Sequence, residues 1–399
     1  MSLLGRESVK EDVMAKKVVV VGGGSGGLVA ARMVQTEATR LGGDIDVTLI
    51  SASEKHYMPP LWSEVALGTA SPEETWAPIK NAEMAYGFKV VVDPVKTFDL
   101  PGKKVTTEGG QTFDFDYLVI ALGTAYGWSD YKGLDKYGYH NYSEEGALEL
   151  KKALSTYKGK KVVFLVPELP FRCGIYPPEM AMNVRAYLEN RGVHPEISVL
   201  YPADAIRMAL GEGLDRFFKR RFKRHNIQYH AGFGKLLEVT ENKIITENGE
   251  FEYDLLIKSP PSRLPKVLAD NGLAHPGDPR WSVVTGPRFQ HPDYDYVYLV
   301  GEHAMPPVGL LTAGVPVHNA AVIAGASILS DALGGYMIPS YGDTLCMGHS
   351  FESGFAGNCE YWWIPEEGKW GHACYTVATG PMVRLMKDSF YRGWLDALR

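Results

Sequence analysis

A run of glycines near the amino terminus has the spacing of a phosphate-binding loop. Gly22, Gly24 and Gly27 form the pattern G-x-G-x-x-G. Ser25 and Gly26 lie between the last two. In this pattern the first glycine permits a tight turn, the second lets backbone N–H groups approach a pyrophosphate, and the third lets a helix pack closely on a strand. Because a helix N-terminus carries partial positive charge, the pattern predicts a dinucleotide site.

The cysteines are the other residues whose types suggest redox chemistry. They are Cys173, Cys346, Cys359 and Cys374. No two of them form C-x-x-C, so we expect no structural metal site. Four cysteines in 399 residues are also too few for the disulfide framework of a small secreted fold. Two interpretations stay open from the residues alone, which are inert buried thiols and a redox pair distant in sequence.

The elements around the glycines have the order of a Rossmann-like unit. Lys16–Val21 is a β-branched run typical of a buried parallel strand, residues 28–40 predict a helix, and residues 45–50 predict the next strand. An acidic residue that binds a ribose hydroxyl would fall near Ser51, and the nearest carboxylate is Glu54. We therefore expect Ser51, or Glu54 reaching back, to contact the ribose.

A second series of strands and helices begins near residue 160. Residues 160–166 predict its first strand, and residues 179–190 predict the helix that follows. Later strands are predicted at 197–201, 227–230 and 255–258. After the strand at 160–166, prolines and a glutamate stand where a pyridine-nucleotide enzyme carries its second glycine pattern. NAD(P)H is therefore not the expected electron source, which argues against a type II NADH dehydrogenase.

Charge and hydropathy argue against several classes of protein. The formal net charge is −6, and without a clustered basic excess a nucleic-acid partner is not expected. No apolar run reaches the roughly 18 residues that a membrane-spanning helix needs. The first 17 residues are rich in charge and lack the apolar core of a secretory signal.

Four segments, in order, resemble one flavoprotein family. Besides the glycine pattern, residues 117–123 resemble the strand and turn before the hinge of two-dinucleotide flavoproteins. Residues 296–302 resemble their late flavin motif, in which Glu302 replaces the usual aspartate. The segment Pro-Phe-Arg-Cys at 170–173 resembles the cysteine segment of flavocytochrome c sulfide dehydrogenase. Residues 341–357, with Cys346, resemble the second cysteine segment of that enzyme and of sulfide:quinone oxidoreductase.

The resemblance implies an α/β fold with two Rossmann-like dinucleotide-binding domains, as in disulfide-reductase-like flavoproteins, and a C-terminal region of strands and a helix. The expected segments are residues 1–125 (first part of the FAD-binding domain), 126–290 (second Rossmann-like domain, without an NAD fingerprint), 291–335 (second part of the FAD-binding domain) and 336–399 (acceptor and membrane-interface region). The implied FAD contacts are Gly22, Gly24, Ser25, Gly26, Gly27, Ser51, Ala121, Gly123, Gly301, Glu302 and Gly309.

The resemblance also implies oxidation of sulfide to polysulfide or sulfur by Cys173 and Cys346. Sulfide attacks their disulfide, which leaves a persulfide on one cysteine and a thiolate on the other. The implied flavin-side thiol is Cys346, with the persulfide on Cys173. Glu179 is a candidate general base near Cys173, and a helix-capping carboxylate is the alternative. We expect Cys359 and Cys374 to form a local hairpin disulfide or to be buried, outside catalysis.

Two further features concern the cofactor and the acceptor. Cytochrome-coupled members attach FAD through a cysteine whose position here is near Pro59, so we expect FAD to be bound non-covalently. Residues 381–398 have apolar spacings of three and four with basic and aromatic flanks, which favours a helix in a lipid interface. The alternatives for this helix are a contact within a homo-oligomer and a cap on the core.

A lipid-bound enzyme would meet a lipid-soluble quinone, so we expect peripheral membrane association and a quinone acceptor. Aromatic residues near Cys346 that could contact a quinone ring are Phe351, Phe355, Tyr361, Trp362 and Trp363. Transfer of electrons to a separate cytochrome c, a type II NADH dehydrogenase-like activity and a catalytically degenerate flavin-binding scaffold are the other hypotheses.

Overall fold

The computed structural model describes residues 15–350 and 353–399. Its helices are α1 (Ser25–Leu41), α2 (Trp62–Leu67), α3 (Asn81–Tyr86), α4 (Glu144–Thr156), α5 (Tyr176–Glu189), α6 (Ala205–Arg224), α7 (Lys266–Asp270), α8 (Gly314–Leu333) and α9 (Pro381–Asp396). Its strands are β1 (Lys16–Val21), β2 (Ile45–Ser51), β3 (Lys55–Tyr57), β4 (Trp76–Pro78), β5 (Lys89–Val92), β6 (Val95–Asp99), β7 (Lys104–Thr107), β8 (Thr112–Asp114), β9 (Tyr117–Ile120), β10 (Ala125–Tyr126), β11 (Lys161–Leu165), β12 (Glu196–Tyr201), β13 (Ile227–Ala231), β14 (Leu236–Val239), β15 (Lys243–Thr246), β16 (Gly249–Glu252), β17 (Leu255–Lys258), β18 (Ser262–Arg263), β19 (Val297–Leu299), β20 (Tyr341–His349), β21 (Gly354–Ile364) and β22 (Lys369–Gly380).

The first domain is organised around a parallel sheet with the strand order β19-β9-β1-β2-β5. Its central strand, β1, buries four consecutive valines at 18–21, as expected for a strand covered on both faces. Strand β19 comes from the chain after residue 290 and completes this sheet beside β9. Helices α1 and α8 pack against each other, so two distant parts of the chain build one domain.

The second domain is organised around another parallel sheet, with the order β13-β12-β11-β17. These four strands are the ones predicted at 160–166, 197–201, 227–230 and 255–258. Strands β14, β15 and β16 form a small antiparallel sheet beside them. The two parallel sheets confirm the predicted class of an α/β fold with two Rossmann-like domains.

The C-terminal region is an antiparallel sheet of β20, β21 and β22, followed by helix α9. Helix α9 has a stripe of buried side chains on one face and exposed apolar side chains on another. The buried stripe contains Val383, Lys387 and Leu395, and the exposed face contains Met382, Leu385, Met386 and Phe390.

Within residues 15–350 and 353–399, no helix combines the length and the apolar character needed to cross a membrane. Residues 1–14, which form most of the charged N-terminal segment, lie outside the described residues, as does Phe351.

Candidate active site

The turn between β1 and α1 has the geometry that the glycine pattern requires. Gly22 has a φ of +120°, and a Cβ there would lie 2.3 Å from the Ala121 carbonyl oxygen. A Cβ on Gly27 would lie 1.8 Å from the carbonyl oxygen of Gly22. At Gly24, in contrast, no atom lies within 4 Å of the Cβ position. The backbone therefore turns tightly and leaves open space at Gly24, which is the arrangement that a pyrophosphate needs.

The helix that follows this turn presents unused donors. No side chain caps the N-terminus of α1, so its first N–H groups remain available for phosphate oxygens. Gly26 lies on the opposite side, where its Cβ would come 2.8 Å from the side chain of Val317 in α8. Ser51 is buried and packs closely against the loop: a Cβ on Gly23 would lie 2.2 Å from the Ser51 Oγ. Glu54 is exposed.

The end of β19 forms the second wall of this site. A Cβ on Gly301 would lie 2.8 Å from the backbone nitrogen of Gly123, so the two predicted glycines lie against each other. The next residue, Glu302, is buried, and its Oε2 is 3.0 Å from Nε of Arg172 and 3.4 Å from Oγ1 of Thr124. Helix α8 begins at Gly314 without a side-chain cap.

Gly309 lies on the side of the C-terminal sheet. Its φ is +81°, and a Cβ there would come 2.7 Å from the carbonyl oxygen of Trp370. Left-handed backbone and close packing already require a glycine at this position. A contact of Gly309 with the cofactor stays a prediction.

Cys173 and Cys346 come from different domains and meet at one hydrophobic cluster. Cys173 follows β11, and its N–H donates to the Thr312 carbonyl oxygen at 2.7 Å. Its φ of +63° lies in the left-handed region, which costs a non-glycine residue about 1–3 kcal/mol. Cys346 lies in β20, paired with Gly357 of β21. Both cysteines are thiols and pack against the core cluster of the second domain.

The electrostatic environment of Cys173 opposes ionisation. Burial raises the pKa of its thiol to about 12, and the charges of Cys346, Glu179 and Glu302 act in the same direction. Cys346 contributes to this shift, and both cysteines pack against the same hydrophobic cluster although 173 residues separate them in sequence. Glu302 links this pair to the predicted flavin side of the site.

A buried cluster of four charged or polar side chains lies beside the two cysteines. Nζ of Lys387 is 2.6 Å from Oε1 of Glu179 and 2.8 Å from Nδ1 of His349. Nε2 of His349 is 3.2 Å from Oε1 of Glu64. Because lysine can only donate, Nδ1 of His349 accepts and Nε2 carries the proton that faces Glu64. The cluster connects α2, α5, β20 and α9.

This cluster corrects the expectations for Glu179. The helix-cap alternative is wrong, because α5 has no side-chain capping hydrogen bond. Burial alone would raise the pKa of Glu179. The charge of Lys387 and contacts with His349 and Lys387, in which the His349 backbone N–H donates to Oε1 of Glu179 at 2.9 Å, outweigh burial and lower this pKa below its usual range. A general base that works near neutral pH needs the opposite shift. In the structure Glu179 is the partner of Lys387, and its role as a general base near Cys173 stays a prediction.

The other two cysteines form a disulfide between β21 and β22. Cys359 and Cys374 are cross-strand partners and are bonded to each other. This confirms the expected hairpin disulfide and separates these two residues from the thiol pair. Within residues 15–350 and 353–399, no group of three or more His, Cys, Asp or Glu side chains is arranged to hold a metal ion.

Phe355, one of the aromatic residues expected near a quinone ring, belongs to the core. Phe355 is buried, and its ring packs 5.3 Å from that of Phe217 and 5.2 Å from that of Phe218, both in α6. Tyr361 is also buried, whereas Trp362 is exposed. The core packing of Phe355 explains its position without a ligand.

The loop after β11 differs from a phosphate-binding turn. Its residue Glu168 forms a two-pronged ion pair with Arg263, at 2.5 and 3.1 Å, and accepts a hydrogen bond from the Tyr131 hydroxyl at 2.7 Å. A carboxylate thus lies at the turn where a second pyrophosphate would bind in a pyridine-nucleotide enzyme.

Sequence reasoning missed the residues of the charge cluster other than Glu179. One signal could have identified Lys387, since it lies four residues after Val383 on the buried stripe of α9. A lysine at a buried helix position needs a partner. Nothing in the sequence indicates that Glu64 and His349 are its neighbours.

Comparison with known proteins identifies the family of this chain. Residues 16–315 match the family described as pyridine nucleotide-disulphide oxidoreductase. The mitochondrial sulfide:quinone oxidoreductase of Dictyostelium discoideum is 27% identical over 331 residues, which cover 79% of this chain and 71% of the relative. The sulfide-quinone reductase of Aquifex aeolicus is 25% identical over 341 residues, which cover 80% and 77%.

The fold is also found in a solved structure. The X-ray structure of the sulfide:quinone oxidoreductase from Aquifex aeolicus superposes with a TM-score of 0.82 at 23% identity, covering 96% of this chain and 92% of that one. These relatives confirm the resemblance identified from the cysteine segments. Since the family match extends over more than half of the residues, the chain is an oxidoreductase that belongs to the pyridine nucleotide-disulphide oxidoreductase family.

Proposed function

We propose that this protein is a flavoenzyme that binds FAD non-covalently, oxidises sulfide through Cys173 and Cys346, and passes the electrons to a membrane quinone. The observation that supports this most strongly is the shared environment of the two cysteines beside Glu302. The relatives named sulfide:quinone oxidoreductase support the choice of substrate and acceptor. FAD, when bound, would supply the two-electron carrier between the thiols and the quinone.

The sulfur step uses a disulfide between Cys173 and Cys346 in the oxidised enzyme. Hydrosulfide attacks Sγ of Cys173, the Cys173–Cys346 bond breaks, and the products are a persulfide on Cys173 and a thiolate on Cys346. Atoms and charge balance in this exchange, because the incoming anion replaces the outgoing one. When the Cys173–Cys346 bond forms again and the outer sulfur leaves as zero-valent sulfur, or is taken up by a second hydrosulfide as polysulfide, two electrons and one proton are released; bound FAD would accept the electrons.

The direction of this attack follows from the environment of Cys173. Thiol–disulfide exchange is faster when the departing thiolate has a low pKa. The raised pKa of Cys173 makes its thiolate a poor leaving group. This agrees with the roles that the resemblance implies, in which Cys346 is the departing thiolate on the flavin side and Cys173 carries the persulfide.

Non-covalent attachment of FAD follows from the residue at the linkage position. Pro59 begins a short 3-10 turn after β3 and carries no nucleophilic atom. We expect trichloroacetic acid precipitation to release all the flavin into the supernatant, where its absorbance is read. Yellow colour that stays with the protein pellet would contradict this prediction.

Helix α9 is the element that we assign to the side of the enzyme facing the quinone. Its inner face includes Tyr391, whose pKa is raised by burial and by the charges of Glu179, Cys173 and Cys346. Its outer face exposes four large apolar side chains, with Arg384 and Arg392 beside them. Apolar residues flanked by arginines suit an anionic lipid surface. One helix would thus separate the sulfur site from the lipid that dissolves the quinone.

The proposed function is tested by one anaerobic titration. Sulfide is added to the yellow protein, and bleaching of the flavin absorbance near its long-wavelength band is recorded. A short-chain ubiquinone is then added, and we expect the absorbance to return, whereas cytochrome c should leave the flavin bleached. Absence of bleaching would indicate a degenerate flavin-binding scaffold, and reoxidation by cytochrome c alone would replace quinone as the acceptor.

A further inference from the structure

The C-terminal helix is hydrogen-bonded to the phosphate loop through one buried histidine. Nε1 of Trp394 in α9 donates to Nε2 of His56 at 2.8 Å. Nδ1 of the same ring is 2.8 Å from the carbonyl oxygen of Gly23. His56 has no exposed surface. The chain Trp394–His56–Gly23 therefore joins the last helix of the protein to the turn that would hold the pyrophosphate.

The chemistry of the three groups determines which atoms carry protons. An indole N–H can only donate, so Nε2 of His56 accepts, and Nδ1 carries the hydrogen that is donated to Gly23. Burial also lowers the pKa of His56, which favours this neutral form. Both ring nitrogens are satisfied, and the loss of the indole N–H would leave a buried acceptor without a partner.

Trp394 also contacts the second helix whose N-terminus faces the cofactor site. Its ring stacks on that of His318 in α8, with centroids 5.2 Å apart and planes inclined by 27°. His318 lies in the second turn after Gly314. One side chain of α9 thus contacts α8 directly and the phosphate loop through His56.

The C-terminal half of α9 and the residues that follow it are attached to the first domain. Arg392 forms an ion pair with Glu74 at 2.5 Å, and Asn81 donates to the Leu398 carbonyl oxygen at 2.8 Å. The exposed apolar residues lie mainly in the other half, from Met382 to Phe390. The apolar face and Trp394 therefore lie on one continuous helix, which Lys387 also anchors in the charge cluster.

We propose that Trp394 is a positioning residue for the phosphate loop, and that seating the apolar face of α9 on a lipid surface strengthens the retention of FAD. This inference rests on the proposed function for its cofactor and its lipid surface. Coupling between two sites is reciprocal. Lipid that favours the docked position of α9 must slow the loss of FAD, and bound FAD must favour binding to lipid.

The test compares Trp394→Phe with the wild type as full-length, FAD-loaded protein. FAD release after dilution is followed by the increase in flavin fluorescence, with and without vesicles of phosphatidylcholine and phosphatidylglycerol. Without vesicles, we expect release from Trp394→Phe to be roughly 3- to 10-fold faster, as for the loss of one hydrogen bond. Vesicles should slow release from the wild type roughly fivefold and should have no effect on the variant.

Phe390→Ser is the matched control, since Phe390 lies on the exposed face of α9 and is 44% exposed. It should bind vesicles more weakly in flotation but release FAD at the wild-type rate in their absence. Equal release rates for Trp394→Phe and wild type without vesicles would overturn the positioning role. Equal slowing by vesicles in both, or none in the wild type, would overturn the coupling to lipid. Bleaching by sulfide, recorded on the same samples, tests the proposed function separately.

Discussion

Replacing Cys346 by serine is expected to abolish the bleaching of the flavin by sulfide. A serine hydroxyl can neither form the disulfide that sulfide attacks nor leave as a thiolate, so the step has no substitute path. We expect the bleaching rate to fall by roughly 10³-fold or more, as when a group that forms the covalent intermediate is lost. Stopped-flow absorbance under anaerobic conditions measures this rate.

Cys173→Ser should lose bleaching to the same extent, because the disulfide needs both sulfur atoms. The matched control is the double variant Cys359→Ser/Cys374→Ser, which removes the disulfide of β21 and β22 and leaves the thiol pair intact. It should bleach at nearly the wild-type rate. If Cys173→Ser or Cys346→Ser bleached normally while retaining FAD, the proposed sulfur chemistry would be excluded.

Lys387→Met is expected to lower the free energy of unfolding by about 3–5 kcal/mol at pH 7, the usual cost of removing one partner from a buried ion pair. Lys387 is 2% exposed, and its ammonium contacts Glu179 and His349. Without it, the Glu179 carboxylate would be buried and charged with no cation nearby. Urea unfolding followed by tryptophan fluorescence measures the change.

The difference in free energy of unfolding between the wild type and Lys387→Met should depend on pH. In the wild type the pKa of Glu179 is lowered, so the stability that it contributes is present above its unfolded-state pKa and is lost as pH falls through the folded one. In Lys387→Met, burial without a cation raises that pKa, so the variant loses stability as pH rises instead. The difference between the two proteins should therefore shrink between pH 7 and pH 5.

A surface lysine provides the control for Lys387. Lys266 is 85% exposed and pairs with Asp270 at 2.5 Å. Exposed ion pairs contribute little, so Lys266→Met should change the free energy of unfolding by less than about 0.5 kcal/mol. A Lys387→Met protein as stable as Lys266→Met at pH 7 would show that the charge cluster does not contribute as inferred.

Local patterns in the sequence were sufficient for the main strands of the two parallel sheets and for the phosphate loop. Four valines at 18–21 predict a central parallel strand, and that is where β1 lies. The glycines at 22, 24 and 27 predict a turn whose steric requirements the structure meets. Strand and turn propensities act over a few residues, so they can be read from neighbours in the chain.

Long-range contacts could not be predicted in the same way. The hydrogen bond from Trp394 to His56 spans 338 residues, and the ion pair of Lys387 with Glu179 spans 208. Each depends on the order of strands in a sheet and on where α9 packs, and no local propensity records these. The sequence could suggest that Cys173 and Cys346 cooperate only through resemblance to a family.

The sequence by itself determined the two Rossmann-like sheets, the glycine turn and the lack of a second glycine pattern, because each depends on residues adjacent in the chain. Only the tertiary structure decided that Lys387 is buried beside the thiols, that Glu179 is its partner, and that His56 joins Trp394 to the loop. Packing brings these side chains out of water together, and a buried charge or polar atom is stable only where another element supplies its partner.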